Sequence, residues 1–196
     1  MRDYVKEYID RLAEGLRQID PAAIEAIVKA LDTARQEERT IFLIGNGGSA
    51  ATASHMANDL QKLATGKKTP PYRAVALTDN VPLLTAWAND ADYAQVFVRQ
   101  LAALAHSGDV LVAITGSGNS KNILEALTWA KDSGLTTIAF LGFDGGKAAD
   151  LTDHVLLYPE GHYGRIEDAH LVLEHLIANY LRDLPEEPLE KDAEIG

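Results

Sequence analysis

The chain has 196 residues, of which 46% are apolar and 24% are charged, as is usual for a single globular α/β domain. The formal net charge of −11 argues against nucleic acid as a partner, because the nucleic-acid backbone is bound by basic surfaces. The absence of cysteine excludes disulfides and thiolate metal sites. Neither an apolar signal segment nor a run of 18 apolar residues occurs, so we expect a soluble, cytoplasmic protein with no membrane partner.

Two helices open the chain. Apolar residues step along the first by alternating four and three positions, at Val5, Ile9, Leu12, Leu16 and Ile19. This spacing predicts a helix from about Asp3 to Gln18 with one apolar seam. Pro21 then opens a second helix, for which Asp20 is the cap. We expect this hairpin, residues 1–38, either to cap the domain or to pack against its equivalent in another subunit.

Strands and helices alternate through the rest of the chain. Five strands are predicted, at Ile41–Gly45, Arg73–Leu77, Asp109–Thr115, Thr137–Leu141 and His154–Tyr158. Helical patterns separate most of them, at Ala50–Leu63, Val96–Leu104, Asn119–Ser133 and Ile166–Leu181. The alternation predicts a three-layer, doubly wound, flavodoxin- or Rossmann-like sheet of five parallel strands, in one domain over residues 1–184. The acidic residues 185–196 are expected to form a flexible tail.

A glycine-rich turn follows the first predicted strand. The apolar run 41–44 leads into Gly45-Asn46-Gly47-Gly48-Ser49, in which Ser49 is placed to cap the next helix. A strand, a glycine turn and a helix N-terminus together suit an anion or a sugar hydroxyl. On that helix His55 and Asp59 are four residues apart and share a face, either as part of a site or as a simple surface pair.

A second turn repeats this pattern after the third predicted strand. The run 111–114 leads directly into Thr115-Gly116-Ser117-Gly118-Asn119-Ser120. Three hydroxyls and the backbone N–H groups beside a helix N-terminus suit a phosphomonoester. The alternative is an ordinary turn in which Ser120 or Asn119 only caps the helix. Since ligands of parallel sheets bind beyond the carboxyl ends of the strands, two such turns favour a binding pocket.

Five segments resemble, in order and spacing, the SIS (sugar isomerase) domain family, and within it the phosphoheptose isomerases. They are FLIGNGGSAATASH, LTAWAND, GDVLVAITGSGNS, LGFDGGK and GRIEDAHLVLEH. The resemblance implies a flavodoxin-like sheet with an N-terminal helical hairpin, and a homotetramer with active sites at subunit boundaries. It also implies isomerisation of sedoheptulose 7-phosphate to D-glycero-D-manno-heptose 7-phosphate through an enediol. The implied substrate contacts are Asn46, Gly47, Gly48, Ser49, Asn89, Asp90, Thr115, Gly116, Ser117, Ser120 and Glu167.

The same resemblance implies the proton-transfer and metal residues. Asp59 and His175 would share the acid and base roles, and a zinc site would comprise His55, Asp59, Glu167 and His175. Imidazole and carboxylate ligands suit Zn²⁺. The chain departs from the family pattern, because Asp59 stands for the usual glutamate and Glu167 for the usual glutamine. Gly164 and Leu63 likewise replace a common aspartate and a common arginine.

Helix geometry limits this ligand set. In a continuous helix Glu167 and His175 lie about 12 Å apart along the axis, too far for easy ligation of one ion. Either the helix starts late, or one of the two residues serves a site shared with another subunit. His170, three residues after Glu167, is a rival ligand on spacing, and His175 has the alternative of being a core or interface histidine.

Two other functions compete with the heptose isomerase. One is an isomerase for another sugar phosphate. The other is a non-catalytic SIS scaffold resembling the DnaA initiator-associating protein, in which the catalytic carboxylate and histidine are missing. A phosphosugar-sensing module is a third possibility, but it usually carries a DNA-binding domain. The presence of His55, Asp59, Glu167 and His175 favours the enzyme.

Overall fold

The structure is a computed structural model and describes residues 1–185, so nearly all of the predicted acidic tail lies outside the described residues. The strands are β1 (Thr40–Gly45), β2 (Arg73–Ala76), β3 (Val110–Thr115), β4 (Thr136–Gly142) and β5 (His154–Tyr158). The α-helices are α1 (Arg2–Arg17), α2 (Pro21–Gln36), α3 (Gly48–Asp59), α4 (Val81–Asp90), α5 (Val98–Leu104), α6 (Lys121–Asp132) and α7 (Tyr163–Asp183). No helix in this part of the chain is both long and apolar enough to cross a membrane.

The five strands form one parallel sheet in the order β2-β1-β3-β4-β5, which confirms the predicted doubly wound, three-layer fold. β3 is buried throughout, and β1 and β4 are buried after their first residue. Such runs are typical of strands that are covered on both faces. Gly45 pairs with Ile114 in the register, so the turns after β1 and β3 emerge side by side at one sheet edge.

The N-terminal helical hairpin is also confirmed. The Asp20 carboxylate accepts a hydrogen bond from the Ala22 N–H at 2.9 Å and caps α2 as predicted. α2 buries Ile27, Val28 and Leu31 against the sheet, whereas α1 has no fully buried residue. The apolar seam of α1 is therefore divided: its C-terminal half packs against the core, and its N-terminal half is exposed.

The helix after the first glycine turn differs from its prediction at both ends. It begins at Gly48 with Gly47 in the capping position, so the prediction that Ser49 is the cap is wrong; Ser49 lies buried in the first turn. At its other end the α-helix stops at Asp59, and residues Leu60–Ala64 form a π-helical turn. The Thr65 N–H accordingly donates to the Leu60 carbonyl at 3.2 Å, one residue beyond the α-helical partner. Such turns occur often at functional sites.

Candidate active site

Two loops form the carboxyl edge of the sheet: the first loop, residues 45–49, and the second loop, residues 115–120. Asn46 in the first loop and Asn122 in the first turn of α6 exchange two amide hydrogen bonds of 2.9 Å each. The Tyr93 hydroxyl donates to the same Asn46 oxygen at 3.0 Å. These bonds join the first loop to the helix that follows the second loop, and they tie the segment after α4 to the first loop.

The first loop leaves the N-terminus of α3 open. Gly47 has φ +56° and ψ −122°, a conformation that side chains with a Cβ disfavour, and no side chain caps the helix. The Ser49 N–H turns back to the Asn46 carbonyl at 3.0 Å. Gly47 and Gly48 are exposed. The loop therefore presents backbone and a positive helix end, beside which the Glu167 carboxylate lies.

The second loop has the same character. Gly118 has φ +62°, and a Cβ there would overlap the Gly145 carbonyl oxygen. Ser120 occupies the capping position of α6, but its hydroxyl makes no capping hydrogen bond. The alternative that Ser120 serves only as a cap therefore loses support. A cleft of about 520 Å³ opens beside this loop and is lined by Ser117, Asn119 and Tyr163 among others.

Four side chains further along α3 and on α7 come together in what we name the ligand cluster: His55, Asp59, Glu174 and His175. One possible ligand atom from each lies within 4.8 Å of all the others. The Nε2 atoms of His55 and His175 are 3.0 Å apart. Asp59 Oδ2 lies 3.7 Å from the first and 3.9 Å from the second, and Glu174 Oε2 lies 3.6 Å from His175 Nε2.

Packing of α7 against α3 creates this cluster. His55 and Asp59 are one turn apart on α3, and His175 lies opposite them, with the two imidazole rings edge to face at 4.8 Å. The His side chains are each 44% exposed, whereas that of Asp59 is 12% exposed. The histidines thus line an opening, and the carboxylate forms its floor.

Glu174 is the most deeply buried member of the cluster. Its side chain is fully buried, and neither carboxylate oxygen has a hydrogen-bond partner. Burial, with a contribution from the neighbouring Asp59 carboxylate, raises the pKa of Glu174 to about 8. An ionised carboxylate in such surroundings requires a compensating positive charge.

The ligand cluster fits a divalent cation. Zinc bonds to nitrogen and carboxylate oxygen of about 2.0–2.2 Å place tetrahedral ligand atoms about 3.3–3.6 Å apart. Four of the six separations are 3.0, 3.6, 3.7 and 3.9 Å and bracket this range, and the other two are at most 4.8 Å. Two imidazoles and two carboxylates match the chemistry of zinc, and the unpartnered Glu174 oxygens match its charge.

Three of the four predicted metal ligands are thus brought together, and Glu167 is not among the clustered atoms. α7 is continuous from Tyr163 to Asp183, so the axial separation of Glu167 and His175 expected from helix geometry holds. The Glu167 carboxylate lies instead at the first loop, where a Cβ on Gly48 would be 2.6 Å from Oε2. That Glu167 binds the metal therefore stays a prediction, and it requires a site that includes a second subunit.

The remaining candidates lie in different places. His170 is fully buried against Phe140, with ring centroids 6.0 Å apart, and takes no part in the ligand cluster. Burial lowers the pKa of His170 to about 4. Asn89 and Asp90 are exposed at the C-terminus of α4, where their side chains hydrogen-bond each other at 2.8 Å. Thr115 is buried at the end of β3, with Gly116 beside it.

Sequence reasoning missed Glu174, Asn122 and Tyr93. A signal for Glu174 was available: it is a charged residue on the stripe of α7 that faces the core, together with Ile166, His170, Leu173, Ile177 and Leu181.

A wider cleft of about 990 Å³ lies between α3 and the edge strand β2, at Ser54 and Gln61. It is not the site, because neither loop nor any member of the ligand cluster lines it.

The fold and the two loops define a SIS (sugar isomerase) domain, and the family model described as "SIS domain" matches residues 3–142. The phosphoheptose isomerase of Sulfurimonas denitrificans is 37% identical over 186 residues, which cover 92% of this chain and 95% of the relative. That of Aquifex aeolicus is 40% identical, over 78% of this chain and 79% of the relative. The solved phosphoheptose isomerase of Neisseria gonorrhoeae matches with a TM-score of 0.84 and 33% identity, over 93% of this chain and 97% of that one. The chain belongs to the phosphoheptose isomerase family and is a phosphosugar isomerase.

Proposed function

We propose that the chain interconverts sedoheptulose 7-phosphate and D-glycero-D-manno-heptose 7-phosphate. The observation that carries the proposal is the contact of the Asp59 carboxylate with His55 and His175 on the helix that starts at the first loop. His55 lies seven residues after Gly48, or about 10 Å along the helix axis. A seven-carbon sugar phosphate is long enough to separate its phosphate from its reacting carbons by such a span, which fits the substrate named for the relatives.

In this proposal the loops bind the phosphate and the ligand cluster moves the proton. Ser117, Ser120 and the N-terminus of α6 hold the phosphate, since the Ser120 hydroxyl makes no capping hydrogen bond there. Asp59 takes the proton from the carbon next to the carbonyl, and His175, where its Nε2 is not bound to the metal, exchanges protons with the oxygens of the enediol. A bound zinc ion would act as a Lewis acid toward those oxygens.

We further propose that the resident metal is Zn²⁺, held by His55, Asp59 and His175. Its support is the fit of their separations to tetrahedral coordination. A homotetramer with sites at subunit boundaries is part of the proposal. Its support is the exposed apolar side chains on α1 and α7, which include Tyr4, Val5, Ile9, Val172, Leu176 and Tyr180. The cytoplasmic location and the domain limit at residue 184 stay predictions from the sequence.

The test is deuterium exchange. The protein is incubated in D₂O with sedoheptulose 7-phosphate, with and without a chelator, and NMR follows deuterium at C1 and C2 and the new aldose signal. We expect exchange in the wild type and its loss in Asp59→Asn and His175→Asn. Asp168→Asn is the matched control, because Asp168 is an exposed carboxylate on α7 that bonds Tyr8 outside the ligand cluster.

Three outcomes contradict parts of the proposal. No exchange, with thermal stabilisation by the same sugar, would indicate a binding scaffold. Exchange with a shorter ketose phosphate but not with the heptulose would identify another substrate. Exchange that persists in both Asp59→Asn and His175→Asn would remove the ligand cluster from the reaction.

A further inference from the structure

Glu174 is buried in a way that the isomerase mechanism does not explain. Its side chain has no exposed area, and both carboxylate oxygens lack hydrogen-bond partners. Among the described residues, no lysine or arginine forms an ion pair with it, and the near polar groups are His175 Nε2 at 3.6 Å and the Asp59 carboxylate. Leaving a carboxylate without any partner in the interior costs free energy that folding has to offset.

His170 is the one other group on α7 that offers a partner by spacing. It lies one turn before Glu174 on the same buried stripe, where an ion pair between the two is possible in principle. The structure does not form that pair: no hydrogen bond or ion pair joins His170 to Glu174, and the His170 ring faces Phe140. The Glu174 carboxylate is directed instead into the ligand cluster.

Asp59 supplies the complementary observation. It supplies one carboxylate of the ligand cluster, from α3. The second carboxylate of the ligand cluster comes from Glu174, on the facing helix. Glu167, which the family pattern would place at the metal, has its carboxylate at the N-terminus of α3, where the helix dipole stabilises it.

We propose that Glu174 is a ligand of the metal in this chain, in place of Glu167, so that one subunit supplies all four ligands. The site then has two imidazole and two carboxylate ligands: His55, His175, Asp59 and Glu174. This inference concerns the metal site within the proposed function, and its test is independent of isomerisation. Metal binding, unlike activity, requires neither the correct sugar nor a complete substrate pocket.

The experiment measures binding of the metal alone. Full-length protein is stripped with a chelator, and Zn²⁺ affinity is determined by competition with a chromophoric chelator, alongside the absorption spectrum of the Co²⁺ form. We expect one ion per chain in the wild type. Glu174→Gln should weaken Zn²⁺ binding by more than about 100-fold, above the loss typical of an outer-shell partner, and should change the Co²⁺ spectrum.

Glu167→Gln is the matched control, since it makes the same substitution about two turns earlier on α7. It should leave the affinity and the Co²⁺ spectrum unchanged. Glu174→Leu guards against a folding artefact: it should unfold at higher urea than the wild type in chelator, because an unpartnered carboxylate is removed, yet gain less stability from Zn²⁺ than the wild type does. Circular dichroism verifies that each variant is folded.

Wild-type affinity in Glu174→Gln would overturn the proposal, and so would a wild type that binds no Zn²⁺. A loss of affinity in Glu167→Gln equal to that in Glu174→Gln would return Glu167 to the ligand set. If Glu174→Gln loses the metal but the wild type shows no deuterium exchange with the heptulose phosphate, the proposed function fails and the ligand assignment stands.

Discussion

The buried carboxyl of Glu174 should make the metal-free protein less stable as the pH rises. Its pKa is 4.5 in an unfolded chain and about 8 in the folded one. Below pH 4.5 the group is protonated in both states and has no effect on stability. Between pH 4.5 and about 8 the unfolded chain releases this proton and the folded chain keeps it, so ionisation favours unfolding.

The size of the effect follows from the shift. Each pH unit in this window costs about 1.4 kcal/mol, so at pH 7 the free energy of unfolding is lowered by about 3 kcal/mol relative to the fully protonated protein. That is a large share of the 5–15 kcal/mol typical of a domain. Glu174→Gln has no titrating group at this position and should not show this fall.

Urea unfolding in a chelator, at pH 5, 6, 7 and 8 and at one protein concentration, measures the effect. The midpoint should fall with pH in the wild type and stay higher in Glu174→Gln, with the slope of the transition unchanged. Asp59→Asn is an informative second variant, because removing its charge should make the fall smaller. Parallel profiles for the wild type and Glu174→Gln would refute the assignment of a buried, uncompensated carboxyl.

Three further predictions concern the loops and the core. Gly118→Ala should lower the free energy of unfolding by more than about 1–2 kcal/mol, the cost of placing an alanine in a left-handed conformation, because the new Cβ would also overlap the Gly145 carbonyl. The control in urea unfolding is Gly66→Ala, since Gly66 also has a positive φ but has room for a Cβ. Ser120→Ala should lower the free energy of unfolding by less than about 1 kcal/mol, the usual cost of removing a helix cap, because the Ser120 hydroxyl makes no capping hydrogen bond. The same substitution should raise KM for the sugar phosphate about tenfold or more, because it removes a hydrogen bond to a charged group. An unchanged KM would argue against phosphate binding at Ser120. His170→Leu should reduce acid sensitivity, because the pKa of His170 is lowered from 6.5 to about 4 and the unfolded chain therefore takes up a proton first as the pH falls below 6.5. At pH 5 this proton uptake costs the wild type about 2 kcal/mol, and equal losses of stability between pH 7 and pH 5 in both proteins would contradict the prediction.

The sheet and its two loops could be predicted because their signals are local. An uninterrupted apolar run such as that of β3 indicates a strand covered on both faces, and the glycines that follow it mark the turn. Parallel strands then bring the ends of β1 and β3 to one edge without further information. His55 and Asp59 were found for a similar reason, since four residues along a helix define a common face.

The periodicity of α7 marks Glu174 as buried, but its role could not be predicted, because that role depends on how α7 is rotated against α3. The pairing of the two helices directs Glu174 and His175, although they are sequence neighbours, into one cluster. The family resemblance indicated Glu167 as the fourth ligand instead. Helix geometry argued against that assignment, because Glu167 and His175 are eight residues apart on one continuous helix. The π-helical turn was also missed, since residues 60–64 are ordinary helix formers and only tertiary packing favours the wider turn.

That turn also has a consequence for how the chain tolerates changes in length. A π turn contains one residue more than the α-helix needs, which is the form that a single-residue insertion takes in an established helix. Deleting one residue between Leu60 and Ala64 would restore ordinary α-helical bonding without touching the helix up to Asp59. Because the π turn accommodates its extra residue locally, the segment from Thr65 to β2 would keep its orientation around the helix axis. The extra residue therefore separates two parts of the chain. The part of α3 that carries His55 and Asp59 can vary in evolution independently of the segment that leads to β2.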